Sequence, residues 1–380
     1  MKETRVRFQT RTLFQLDLRK RIDAYLKVEG RERAGFRAIL IKAVILFAAL
    51  GVGLALALGL GVGSWPFVLI GALIAGLAMA GLGMSVQHDG GHRSFSRSPA
   101  LNRAAASVLD FLGGSSHVWH YKHGVAHHTY PNMQGADEDI ALEPLARMAP
   151  GQRRRSFHRF QHLYMPLVYG IISLKWVWLD DYRRIAKGRV ASSALPRPRG
   201  SALAILIAGK LIHLAWALVL PIVVLGWAKG LVFYNLMYFA CGFTLALVFQ
   251  LAHCVEEAEF IALPIAANAP LIERDFAAHQ VATTVDFARD NRWLSWYVGG
   301  LNFQVVHHLF PRVCHVHYRG LAPIVEQCCA DHGVAYKSNP SLSAAIGSHL
   351  RWLRRMGQAE APVLSIPEPE RFAPPSARAA

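Results

Sequence analysis

Residues 43–63 carry no charged side chain, and neither do residues 67–87. Each run is close to the ~20 residues an α-helix needs to cross a bilayer's hydrocarbon core. Only Ser64, Trp65 and Pro66 lie between them, which predicts a tight helical hairpin. A second pair, 202–225 and 230–252, flanks a turn around Trp227 and Lys229. Lys210 and His213 interrupt its first member; either Lys210 snorkels towards the interface or the span begins later. Phe14, Leu18, Ile22, Tyr25 and Leu26 recur at helical spacing among basic residues, a pattern expected of an interfacial amphipathic helix. Residues 164–179 are apolar but hold Pro166 and Lys175 and end at Asp180 and Asp181, which predicts a re-entrant or interfacial segment. The stretch 361–380, rich in Pro, Ala and Ser, is expected to be disordered. The predicted layout is a basic segment 1–42, a membrane domain 43–360 and that tail.

Composition agrees with lipid as the solvent. Hydrophobic residues make up 53 % of the 380 and charged residues only 17 %, against about a quarter in an ordinary soluble chain. The net charge of +16 does not point to nucleic acid, because the basic residues flank the apolar runs. Lys2, Arg5, Arg7, Arg11, Arg19, Lys20, Arg21, Lys27, Arg31, Arg33, Arg37 and Lys42 precede the first run. Arg153, Arg154, Arg155, Arg183, Arg184, Lys187 and Arg189 lie in the long middle segment, and the two short turns hold only Lys229. The positive-inside rule then places both termini and the middle segment in the cytoplasm. The expected fold is an all-α integral membrane protein, four transmembrane helices with a cytoplasmic helical cap. The Ala/Gly/Arg-rich composition fits a bacterial inner membrane. Five cysteines without framework spacing or a paired C-x-x-C fit free thiols in a reducing compartment.

Eighteen histidines supply the candidate chemistry. His88 and His92 stand at the end of the second run, His123, His127 and His128 in the middle segment, and His307 and His308, preceded by Gln304, after the fourth run. With four spans, all three groups emerge on one side of the membrane. His88/His92 and His123/His127 are i, i+4 pairs that can share a helical face. Adjacent His127/His128 and His307/His308 diverge by ~100°, which suits two ions better than one. Seven histidines also exceed the three or four protein ligands of a single zinc site, so a dinuclear centre is expected. Imidazole alone does not choose the metal. His117, His120, His158, His162, His213, His315 and His317 are read as structural.

These residues resemble the membrane fatty acid desaturases. The resemblance rests on His88-Asp89-Gly90-Gly91-His92, on Trp119-His120-Tyr121-Lys122-His123 running into His127-His128-Thr129-Tyr130, and on Asn302-Phe303-Gln304-Val305-Val306-His307-His308-Leu309-Phe310-Pro311. The last motif, with His315-Val316-His317-Tyr318 beyond it, is similar to the front-end desaturases and the bacterial linoleoyl-CoA desaturase-like group. The resemblance spans about residues 40–340. It implies two irons, O2 as co-substrate, a fatty acyl-CoA or lipid-linked acyl substrate, and electrons from a separate ferredoxin, rubredoxin or cytochrome b5 type donor, since no His-Pro-Gly-Gly haem segment occurs in this sequence. It implies one more histidine ligand between the last span and the third box. His279 matches best and His253 is the rival; Gln304 is a ligand or hydrogen-bond partner in place of histidine. Asp89, Asp137, Glu138 and Asp139 are candidates to orient the ligating rings. Gly124, where relatives often have asparagine, and Val306, where many have glutamate, depart from the pattern and bear on substrate preference.

Two other readings compete. A hydroxylase or ketolase on the same scaffold would share every metal ligand and differ in product. A membrane metal transporter would place ionisable residues inside the spans and favour internal repeats; here the histidine groups lie at or beyond the span ends and no repeat is visible.

Overall fold

The computed structural model describes residues 7–10, 12–28, 35–262, 271–272 and 274–359. The expected disordered tail lies outside the described residues. Helix α1 spans Leu13–Val28. Four long apolar helices follow in the chain: α2 (Phe36–Leu58), α3 (Trp65–Gly91), α6 (Ser201–Leu225) and α7 (Trp227–His253). Between them lie α4, a turn of α-helix (Ser116–Trp119) widening into a π-helix (His120–His127), and α5 (Gln161–Lys175). After α7 come α8 (Phe276–Thr283), α9 (Gln304–Leu309), α10 (Tyr318–Asp331) and α11 (Leu342–Gly357). The described strands are two residues long and pair only two by two.

The four apolar helices are long and apolar enough to cross a membrane. Between 22 % and 61 % of their most apolar stretches is buried within the protein, so the remaining apolar surface must meet lipid. Small residues line their mutual contacts, with Gly53 against Gly71 and Ala75, and Gly76 against Met237 and Ala240. Without a hydrophobic drive between helices in lipid, such close backbone approach supplies the packing. Helix α2 begins at Phe36, so the expected boundary at 42/43 falls inside it. Lys42 does not end the helix because it is buried, donating to His315 Nε2 at 3.2 Å.

Two expectations change. The apolar face of α1 does not lie free for a membrane: Phe14, Leu18, Ile22 and Leu26 are buried in one cluster with Leu321 and Val325 of α10 and Val281 of α8. Arg21 of its basic face is tied in as well, bonding Asp17 and Asp331. Lys210 does not snorkel; its ammonium is held inside the fold by Asp181 at 2.9 Å. Helix α5 packs along α7, Ser173 donating to the carbonyl of Tyr238 at 2.7 Å. Leu163, Leu167 and Ile171 on its other face stay exposed, the apolar stripe expected of a segment in contact with lipid.

Candidate metal centre

Each histidine group reaches the centre on a differently shaped backbone. His88 follows a π-helical turn, Gly83–Gln87, at the end of α3; His123 and His127 lie in the π-helix of α4. Such widened turns are rare and recur at functional sites, where they re-aim side chains. Ser115 caps α4, its hydroxyl accepting from Val118 N at 3.3 Å. The third group sits on the short α9. Asp286 accepts from Val305 N at 3.0 Å, satisfying one of the free N–H groups at that helix start.

The three groups converge. Donor atoms of His88, His92, His123 and His307 lie within 4.8 Å of one another, as do those of His127, His253 and His308, and those of His128, His307 and His308. All eight imidazoles are buried. Neighbours in sequence part company as their spacing requires: the rings of His127 and His128 stand at 78° and those of His307 and His308 at 85°. His123 and His127 share a face, stacked at 5.3 Å, yet serve different groups.

Where the other edges of these rings point is informative. His127 Nδ1–H donates to Asp137 at 3.1 Å, with Asp139 at 3.4 Å. His308 Nδ1–H donates to Gln280 Oε1 at 2.9 Å. His307 Nδ1 lies 3.1 Å from the Tyr318 hydroxyl. In all three rings Nε2 is buried and has no hydrogen-bond partner, and the same is true of His92 Nε2 and Gln304 Oε1. Buried polar atoms are ordinarily paired, so a convergent set of orphan imidazole nitrogens fits a metal. Metal-bound histidines give their second N–H to a carboxylate or carbonyl in this way. His123 Nε2 lies 3.2 Å from both His88 Nε2 and His128 Nε2. Two nitrogens ~2.1 Å from one ion lie roughly 3.0–3.4 Å apart at angles between square and tetrahedral.

Electrostatics also keep the donors available. Burial, reinforced by neighbouring imidazoles, holds His92, His123, His128, His307 and His308 well below the ordinary histidine range, so these rings are neutral. Burial pushes His127 down too, but the Asp137 carboxylate outweighs it and the net shift is upward.

The remaining candidates separate. His253 joins His127 and His308, with ring centroids 4.7 and 4.8 Å away, and its Nε2 is 2.9 Å from Gln304 Nε2. His279 is fully buried, but its ring neighbour is Phe8 at 5.1 Å, and it belongs to none of the three groups above. The contrast is geometric: α7 delivers His253 at its end directly over the cluster, whereas α8 aims Gln280 inward to His308 and leaves His279 on another face. Asp89 lies 4.0 Å from His88 Nδ1 and instead accepts from His315 Nδ1–H at 2.7 Å. Asp139 bonds Lys122, and Glu138 accepts from Arg184 at 2.8 Å.

Three residues to which sequence reasoning gave no role complete the frame. Gln280 and Tyr318 bond the rings of His308 and His307, and Asn132 donates to the carbonyls of His253 at 2.8 Å and Glu259 at 3.1 Å, locking the turn after the second box to the end of α7. A buried amide next to a candidate histidine was the only available signal for Gln280.

The sequence model for fatty acid desaturases matches residues 63–340. The chain belongs to that family. This desaturase is 34 % identical to the sn-1 linoleoyl-lipid 6-desaturase of Synechocystis sp. over 93 % of its own length and 98 % of that protein's. It is 33 % identical to the sn-1 linoleoyl-lipid 6-desaturase of Arthrospira platensis (90 % and 92 % covered), and 32 % identical to an acyl-lipid (8-3)-desaturase of Physcomitrium patens (91 % and 72 %). It is therefore a membrane-embedded oxidoreductase of fatty acyl chains, with histidine clusters suited to the family's iron.

Proposed function

We propose that this desaturase is a front-end enzyme that inserts a cis double bond into a lipid-linked acyl chain at a diiron centre on the cytoplasmic side of the membrane. His88, His92, His123 and His307 would hold one iron, His127, His253 and His308 the other, with His128 between them and Gln304 beside His253. His253 takes the place expected of His279. The convergence of eight buried imidazoles, with orphan nitrogens facing inward, carries this reading. The names of the 6- and (8-3)-desaturase relatives favour a front-end lipid substrate, and the distribution of arginine and lysine favours the orientation.

Iron bound there, supplied with O2 and with two electrons from a separate donor protein, provides the oxidising power to remove two hydrogens from adjacent methylenes. The balance is one CH2–CH2 unit, O2, two electrons and two protons giving one CH=CH unit and two waters. The protein's part is positional. Asp137, Gln280 and Tyr318 fix ring orientation. Trp119, stacked on His123 at 4.6 Å and edge-on to His88 and His92, walls the cluster and keeps water from it. Holding the chain beside the imidazoles selects which carbons react.

Expression in a host of simple fatty acid content supplied with linoleate, with double bonds mapped by mass spectrometry of intact lipids, tests the proposal. A new double bond on the carboxyl side of the existing ones, lost in His127→Ala, is expected. An oxygenated chain would instead establish the hydroxylase reading.

A further inference from the structure

Lys210 and His213 interrupt the apolar run of α6, and neither takes part in the centre above. Ionisable groups within a span are costly and mark functional positions. Lys210 Nζ donates to Gly113 O at 2.6 Å, Asp181 Oδ2 at 2.9 Å and Val177 O at 3.1 Å, so each of its three N–H groups has an acceptor. Gly113 is the last of three consecutive residues treated alike. Phe111 O accepts from Trp216 Nε1 at 3.0 Å, and Leu112 O from the Tyr238 hydroxyl at 2.7 Å. Three successive carbonyls are thus each held by a donor from α6 or α7.

Their position explains why. They close the one-turn helix Val108–Phe111, whose last carbonyls have no partner within the helix. Irregular backbone packed against spans is tolerated only where protein groups satisfy it. Two residues further on, Ser115 caps α4, which carries His123, His127 and His128. We propose that Lys210, Trp216 and Tyr238 form a clamp through which the spans set the start of α4, and so the placement of the second histidine box. They touch none of the eight imidazoles and act as positioning residues. Stability alone does not account for the ion pair, since apolar replacements of buried pairs are often neutral or stabilising. What the pair adds is a fixed direction for the bond to Gly113. The inference rests on the reading of the histidine cluster as the metal centre.

Lys210→Met alone would bury an unpaired Asp181, so the test uses Lys210→Met/Asp181→Asn, which removes both charges, and separately Tyr238→Phe, which removes one hydroxyl. Hydrogen exchange by peptide, iron affinity and the iron Mössbauer spectrum are measured on the full-length purified protein. Exchange across residues 108–123 should rise at least about tenfold while residues 292–310 stay unchanged. Iron affinity should fall at least about tenfold, as when other supports of metal ligands are removed, and Lys210→Arg should recover most of it. Variants that exchange and bind iron as the wild type does would overturn the clamp, and so would exchange rising uniformly along the chain, the mark of a general fold defect. Wild-type protein that holds no iron would sink the metal-centre reading instead, leaving the local exchange result to judge the clamp.

Discussion

The two glycines inside the first histidine box offer a sharp test of how tightly the centre is built. A methyl group at position 91 would lie 2.1, 2.7 and 3.0 Å from three atoms of the Trp119 indole. That indole cannot retreat freely, because its ring is stacked on His123 at 4.6 Å. Restoring ordinary contact demands a shift of about 1–1.5 Å, and overpacking of this kind costs roughly 1–3 kcal/mol. At position 90 the methyl would meet backbone instead, 2.5 Å from Ala106 N and 2.7 Å from Ala105 C, so the Pro99–Ala106 helix itself must move. The two variants should therefore fail differently. Gly90→Ala should lower the thermal midpoint of purified protein by several degrees. Gly91→Ala should lose less stability but more function, since a ~1 Å misplacement near a reacting centre can cost ~100-fold in rate. Iron per chain, unfolding midpoint and desaturated product are the measurements, and Gly91→Ala/Trp119→Phe should regain part of the lost product by making room. A Gly91→Ala enzyme with full iron content and wild-type turnover would refute the argument that the indole is wedged between the first box and His123.

Further expectations follow from the same geometry. His253→Ala should cost about one iron per chain, whereas His279→Ala should leave the metal content intact; metal analysis distinguishes them, and the reverse result would restore His279 as the ligand. Asp137→Asn removes the charge beside His127 Nδ1, so iron affinity should drop ~10–100-fold in a chelator competition. Because Asp137 also accepts from Asn132 N at 3.0 Å and Asp139 N at 2.9 Å, one of those N–H groups loses its acceptor and the unfolding midpoint should fall as well. Asp286 gives a pH signature: burial pushes its carboxyl up to about 6, against stabilising bonds from Tyr336 and Val305. Because the folded value is raised above the ordinary 3.8, its contribution is fully present below pH 4 and lost as pH rises through 6, about 3 kcal/mol in all. The difference in unfolding midpoint between wild type and Asp286→Asn across pH 4–8 should follow that curve; a flat difference would show that Asp286 is not the group titrating.

Much of this architecture was legible because membrane sequence signals are blunt. Long uncharged runs and basic flanks marked the spans, and adjacent histidines with diverging directions called for two clusters. What escaped reading was set by partners distant in sequence. Lys42 looked like a helix boundary until His315 was brought to meet it. The apolar stripe of α1 looked membrane-bound, since nothing in its spacing distinguishes lipid from the face of α10. His253 and His279 both stood in plausible places, and only the directions of α7 and α8 separate them. Gln280 and Tyr318 were given no role, although Tyr318 closes the His315-Val316-His317-Tyr318 motif, since that role exists only once His308 and His307 are in place.

The partners behind the rings have a consequence for the two proposed metal positions. His127 leans on a carboxylate, His307 on a phenol and His308 on an amide. A ring whose proton is drawn towards a negative oxygen becomes the more electron-rich donor, so in the proposed diiron centre the two ions would be inequivalent before any lipid arrives. Their quadrupole doublets should be resolvable from each other, and the ion beside Asp137 should be the harder of the two to reduce.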